Sequence, residues 1–397
     1  MTEPLQATRL SDRVFWVGAI DWGVRDFHGY LTTRGTTYNA YLILADKITL
    51  IDTVKAPFRH EMLHRIASVI DPGTIDYIIS NHSEMDHSGA LPEVIAEVKP
   101  ERVFASPRGV EALARHFHLD GIEAVKEGDS LSLGSATLAF VETPMLHWPD
   151  SMFTYLADER LLFSSDAFGM HLATSERFAD EIDDSILEYE GAKYFANILL
   201  PLSNLITRLL DKVGQLNLAI DAIAPSHGPV WRKDVATAVG RYGAWAAQKR
   251  TNKAVVVYDT MWQSTDLMAR AIGDGLAASG ASVKLMPLKS CHRSDVATEV
   301  LDAGALIVGS PSLNGGMFPT VADLLTYLKG LKPRNLIGAA FGSYGWSGGA
   351  VEQVEAALRE MNTELVGEAV AAKYVPDADA LNRCRALGVQ IAEKLKQ

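Results

Sequence analysis

Short apolar runs separated by polar breaks recur through the first 250 residues, and they predict strands over 14–17, 38–44, 48–51, 77–80, 103–105, 136–141, 161–164 and 219–224. Apolar positions at helical spacing lie between them, over 57–69, 91–98 and 110–117. Hairpins mixed with βα units imply sheets packed on one another and flanked by helices. A polar stretch over 248–253 then precedes a change of rhythm. Strands over 254–258, 283–286, 305–309 and 336–341 alternate with helices over 266–278, 321–331 and 350–361. Helices of this length between strands imply crossovers and a parallel, doubly wound sheet. The pattern divides the chain into residues 1–250 and 251–397.

Composition narrows the class without naming it. Hydrophobic residues make up 48% and charged residues 22% of 397, which excludes a disordered or collagen-like chain. The net charge of −12 argues against a nucleic-acid partner, which needs clustered Lys and Arg. Only Cys291 and Cys384 occur, too few for a disulfide scaffold or a thiolate metal site. No apolar run is long enough to span a bilayer, and the first ten residues lack a signal-peptide core. A cytoplasmic protein with no membrane partner is expected.

The candidate chemistry lies in His82-Ser83-Glu84-Met85-Asp86-His87, directly after the strand over 77–80. Four possible ligands within six residues, in a turn after a buried strand, can converge on one small volume. His147, Asp166 and His227 each follow another predicted strand, so all seven gather at one edge of the sheets. Taken singly, each would be read as a solvated loop residue. Together, imidazoles and carboxylates without thiolates suit a borderline metal.

This constellation resembles the metal site of the metallo-β-lactamase superfamily, whose hydrolases usually carry a second His where this chain has Glu84. The substitution adds a hard, anionic oxygen to a site already holding Asp86 and Asp166, and favours a dinuclear iron centre over a zinc pair. The Glu form of the motif is that of flavodiiron proteins. The resemblance implies that His82, Glu84 and His147 bind one iron and that Asp86, His87 and His227 bind the other, with Asp166 bridging. Members of that family differ in whether the side chain at the His87 position points at the metal. His28 and Tyr194 match residues placed near the iron pocket, where they would carry protons or serve as structural hydrogen-bonding groups.

In the second half, the strand over 254–258 leads into Thr260-Met261-Trp262-Gln263-Ser264-Thr265. Its hydroxyls and the free amides of the next helix make a phosphate cradle, although Ser and Thr are also ordinary helix caps. Pro311-Ser312-Leu313-Asn314-Gly315 and Ser343-Tyr344-Gly345-Trp346, with Gly348, form two further loops after strands. The three loops resemble those of flavodoxins and imply FMN, with Trp262 and Gln263 departing from the commonest phosphate loop.

The resemblance runs from Val14 to the final helix. It implies an α/β architecture, a metallo-β-lactamase-like αββα sandwich followed by a flavodoxin-like doubly wound sheet. The implied activity is reduction of O2 to water or of NO to N2O, with electrons passing through FMN to a non-haem diiron site. Without a rubredoxin-like extension after residue 397, a separate donor such as rubredoxin is expected. The family's head-to-tail pairing implies a homodimer or a dimer of dimers. Two other readings stand beside it: a zinc hydrolase fused to a flavodoxin-like module, and an electron-transfer flavoprotein with an inert metal site.

Other motifs mislead. His60-Glu61-Met62-Leu63-His64 matches a zinc-protease pattern, but its histidines lie opposite the apolar face of their helix. Gly345-Trp346-Ser347-Gly348-Gly349 matches a nucleophile elbow, yet no histidine follows it to complete a triad. Asn81-His82-Ser83 is formally a glycosylation sequon.

Overall fold

The computed structural model describes residues 5–216 and 218–397. The chain divides into two compact units, one of Met1–Phe27, Thr32–Tyr194 and Asn204–Gly243, the other of His28–Leu31, Phe195–Ser203 and Ala244–Gln397.

Among the described residues, the first unit holds a seven-stranded and a five-stranded sheet. Val14–Trp16, Tyr41–Ile43, Thr49–Ile51, Tyr77–Ser80 and Arg102–Ala105 are consecutive strands of the larger sheet, antiparallel at first and parallel from Thr49–Ile51 onward. The smaller sheet runs Ser130–Ser132, Thr137–Glu142, Met152–Leu156, Leu161–Phe163, Ala222–Ala224. Side chains alternate across each strand, which decides what every position packs against. Tyr41, Ile43, Ile51 and Ile79 point inward and meet Phe140, Met152, Leu156 and Phe163 of the other sheet in one buried cluster. Leu42, Leu50 and Ile78 point outward, where they are covered by Met62, Leu63, Ile66, Leu91, Val94 and Leu113. On the far side, Phe153, Leu162 and Ile223 face Leu209 and Leu210 of helix Ser203–Gln215. The layers are therefore helix, sheet, sheet, helix.

Two details differ from the sequence expectation. The run over 38–44 is not one strand: Thr36–Tyr38 pairs with Ala19–Asp21, and Tyr41–Ile43 belongs to the large sheet. Asn39 breaks it, turning its amide into the fold, where it donates to the carbonyls of Pro225 and Gly228. The last strand is also shorter than 219–224, spanning only Ala222–Ala224.

The second unit is a six-stranded sheet with central order Ser282–Pro287, Lys253–Tyr258, Ala305–Gly309, Ile337–Tyr344 and parallel pairing throughout. Chain reversal on either side of Lys253–Tyr258 places the switch point between it and Ala305–Gly309. Helices Ser264–Ala278 and Ala378–Leu395 cover one face. They approach at glycines: a Cβ on Gly388 would lie 2.2 Å from the Ile272 carbonyl oxygen.

Candidate metal centre and cofactor cleft

Every candidate ligand leaves the sheets at the same kind of place, the carboxyl end of a strand. His82 follows Tyr77–Ser80, Asp166 follows Leu161–Phe163, and His227 follows Ala222–Ala224. The one-turn helix Met85–Ser88 turns Asp86 and His87 inward and leaves Met85 52% exposed.

Buried polar residues hold these loops. Asp52 accepts the Asn81 backbone N–H at 2.7 Å and the Asn81 side-chain amide at 3.1 Å. Thr53 donates both its N–H and its hydroxyl to the His87 carbonyl. The Tyr41 hydroxyl and Asn39 amide tie down the Pro225 carbonyl, two residues before His227. Asn81 is 1% exposed and fully engaged, so the sequon offers no glycosylation site.

The seven side chains converge as two groups that could each hold a metal ion: His82, Glu84, His147 and Asp166, and then Asp86, His87 and His227. His147 Nε2 lies 3.1 Å from Glu84 Oε2 and 3.4 Å from Asp166 Oδ2, and His82 Nε2 lies 3.5 Å from that same Asp166 oxygen. Asp166 Oδ1 faces the other way, 3.2 Å from His87 Nε2 and 3.5 Å from His227 Nε2. Asp86 adds contacts of 3.4 Å to His87 and 3.2 Å to His227. Donors held about 2.1 Å from one ion are separated by roughly 3.0 to 3.4 Å, depending on coordination geometry. The observed spacings, 3.1 to 3.5 Å, lie within that range or 0.1 Å beyond it. All four oxygens of Asp86 and Asp166 are buried without a hydrogen-bond partner among the described residues, which in a protein interior calls for a cation.

The electrostatics agree. Burial would lower the His82 pKa, but hydrogen bonds to Asp150 and Glu84 raise it to about 10. Burial opposes the same rise at His147, where Asp166 and Glu84 lift it to about 10, and at His87, where Asp86 and Asp166 lift it to about 9. Conversely, burial favours protonation of Asp166, yet the surrounding imidazoles hold its carboxyl well below the usual range. The carboxylates demand positive charge, and protons or metal ions can supply it.

Several residues here carry no sequence motif. Asp150 Oδ2 lies 3.1 Å from His82 Nδ1 and accepts the Ser83 N–H. His171 is buried, with Nδ1 2.8 Å from the Thr36 hydroxyl and its ring 4.8 Å from that of His227. Tyr194 is 1% exposed and packs edge-on to His171. His28 is exposed, has a left-handed backbone with φ 55°, and belongs to the second unit. His60 and His64 are exposed, as the apolar face of their helix required.

In the second unit, a cleft of about 650 Å³ opens at the carboxyl ends of the strands. Met261, Trp262, Ser264, Pro311, Ser312, Leu313, Asn314, Gly315, Ser343, Tyr344, Gly345 and Trp346 line it, and so do Ser347, Tyr374 and Val375. That size suits a cofactor. Other predicted residues support the loops from outside the lining. Thr265 is buried with its hydroxyl 3.0 Å from that of Ser343, and Gln263 takes the left-handed position before helix Ser264–Ala278. Gly348 faces open space. Thr260 is 6% exposed, and its hydroxyl has no hydrogen-bond partner among the described residues. The second loop is a hairpin, with Leu313 opposite Gly316 and positive φ at Asn314 and Gly315. Asn-Gly between paired strands is the usual signal for that turn.

Comparison with known proteins finds a match for each half of the chain. A family profile described as "ODP family beta lactamase" matches residues 36–228, and one described as "Flavodoxin" matches residues 256–388. The chain is 48% identical over 98% of its length to "Nitric oxide reductase" of Moorella thermoacetica, covering 99% of that protein. Among solved structures, it is similar to rubredoxin oxygen:oxidoreductase from Desulfovibrio gigas, with 45% identity, a TM-score of 0.96, and coverage of 98% of this chain and 99% of that one. A flavodiiron protein from Giardia intestinalis superposes with a TM-score of 0.95 at 34% identity, over 100% of this chain and 98% of its own. Alike in sequence and in fold to these proteins along nearly its whole length, the chain belongs to the flavodiiron protein family.

Proposed function

We propose that the chain is an oxidoreductase that takes electrons from a separate small redox protein, rubredoxin or one like it. They pass through FMN in the cleft to an iron pair, which reduces O2 to water or NO to N2O. The observation that carries this reading is the two-sided position of Asp166, one oxygen toward each ligand group. His82, Glu84 and His147 hold one iron in this reading, and Asp86, His87 and His227 hold the other. Iron held by such a nitrogen and oxygen ligand set would supply redox chemistry between ferrous and ferric states.

The chain's own residues supply the remaining requirements. Burial of Asp166, His87 and His227 keeps water from competing at the ions, while His147, with 17% of its side chain exposed, marks the open side. Reducing O2 to two waters consumes four protons, and coupling two NO consumes two. Burial holds the Tyr194 phenol protonated, its pKa well above the ordinary value, so it can donate a hydrogen bond beside His171. His28, exposed to water, is the proposed carrier from solvent.

The metal-binding domain is assigned to residues 1–250 and the FMN domain to 251–397. Trp262 and Trp346, each 89% exposed beside the cleft, with Tyr374 and Val375, form an apolar rim that a partner would cover. A head-to-tail homodimer or dimer of dimers is proposed on that basis. A cytoplasmic location is supported by Cys291 and Cys384, both free thiols. No helix among the described residues is long and apolar enough to cross a membrane.

Replacing His147 or Asp166 by Ala should abolish gas turnover while the FMN absorbance stays. Turnover that survives both changes would refute the ligand assignment.

A further inference from the structure

The two ligand groups have matching donor sets: two imidazoles, one carboxylate of their own, and one oxygen of the shared Asp166. What differs is the group behind each ring. His82 Nδ1 lies 3.1 Å from Asp150 Oδ2. Asp150 is itself fixed, since that oxygen accepts the Ser83 N–H at 2.6 Å and its carbonyl accepts the Ser106 hydroxyl at 2.6 Å. A buried carboxylate behind an imidazole keeps the proton on Nδ1, points the Nε2 lone pair at the ion and makes the ring a stronger donor.

In the other group, His227 Nδ1 faces a neutral acceptor, the Thr37 carbonyl at 2.6 Å. His87 Nδ1 is buried and has no acceptor among the described residues. Nothing among the described residues selects the His87 tautomer or steadies its ring through that nitrogen. One position thus has an anionic support behind one of its rings, and among the described residues the other has no anionic support behind either of its rings.

We infer that the two metal positions are unequal: the His82, Glu84 and His147 position binds its ion more tightly, and the Asp86, His87 and His227 position fills second and empties first. Asp150 is the positioning residue that sets this order, acting through His82. The inference rests on the dimetal reading of the site, and it concerns affinity instead of activity.

The test uses the full chain with FMN bound, stripped of iron and equilibrated anaerobically against buffered ferrous iron, with iron per chain as the readout. Wild type should load in two steps whose midpoints differ by roughly tenfold or more, the scale on which such outer partners act. Asp150→Asn should weaken only the tighter step, by about 10- to 100-fold, and merge the two. His87→Ala should remove only the weaker step. A single wild-type midpoint for both ions would overturn the inference, as would an Asp150→Asn change that shifts both steps equally. A wild-type chain that binds no iron at either position would instead refute the dimetal reading itself, and this inference with it.

Discussion

His82, His147 and His87 carry pKa values raised to about 10, 10 and 9 by the carboxylates around them, so at neutral pH the ion-free site holds protons where a metal would sit. A metal binds neutral imidazole, and its uptake must therefore release those protons. The sign follows: affinity rises with pH and levels off above roughly pH 10, where the rings are already neutral. Calorimetric titration at pH 7 in buffers of different ionisation heat should show net proton release, and an enthalpy independent of buffer would contradict it. At this scale the ligands were legible because they cluster in one six-residue segment or follow apolar strands. Asp150, Asp52, Asn39 and His171 were not, since each is a lone polar residue in sequence and gains its role only from what folding puts beside it.

At the level of elements, the loops around the cleft depend on close backbone approach. Gly349 has φ 118°, and a Cβ there would lie 2.3 Å from the Gly315 carbonyl oxygen, at the tip of the 312–317 hairpin. Gly349→Ala should push that hairpin out of place and weaken FMN binding by at least about tenfold, since strained left-handed positions cost on the order of 1–3 kcal/mol. Flavin fluorescence titration of the variant measures it, and unchanged affinity would show that the hairpin does not shape the cleft. Strand and helix periodicity predicted the parallel sheet and most strands of the sandwich. It read residues 38–44 as one run because nothing in apolar pattern marks Asn39 as a turn held by long-range hydrogen bonds. Met152–Leu156, buried at every position, has no alternation to reveal it. Tyr374 and Val375 reach the cleft from beyond the last predicted strand, and no local signal ties them to it.

For the whole molecule, the proposed head-to-tail dimer requires electrons to cross between chains. Co-expressing Asp166→Ala, which should lose the irons, with Ser264→Glu, which would put a carboxylate into the cleft proposed for FMN, tests this. Random pairing gives half mixed dimers, each with one working pair of sites, so about a quarter of wild-type turnover should return. No recovery would mean that electrons stay within one chain. The net charge of −12 enters here only as a bar to nucleic acid, because donor docking depends on charge near the cleft rim. Metal, flavin and donor-driven gas reduction, all measured on one preparation, test whether a flavin-fed iron pair does the chemistry. Two irons and one FMN per chain are expected, with O2 reduced to water without peroxide, or NO converted two-for-one to N2O, and all turnover lost when iron is removed. Zinc in place of iron with hydrolytic activity, or gas reduction that persists without iron, would contradict it.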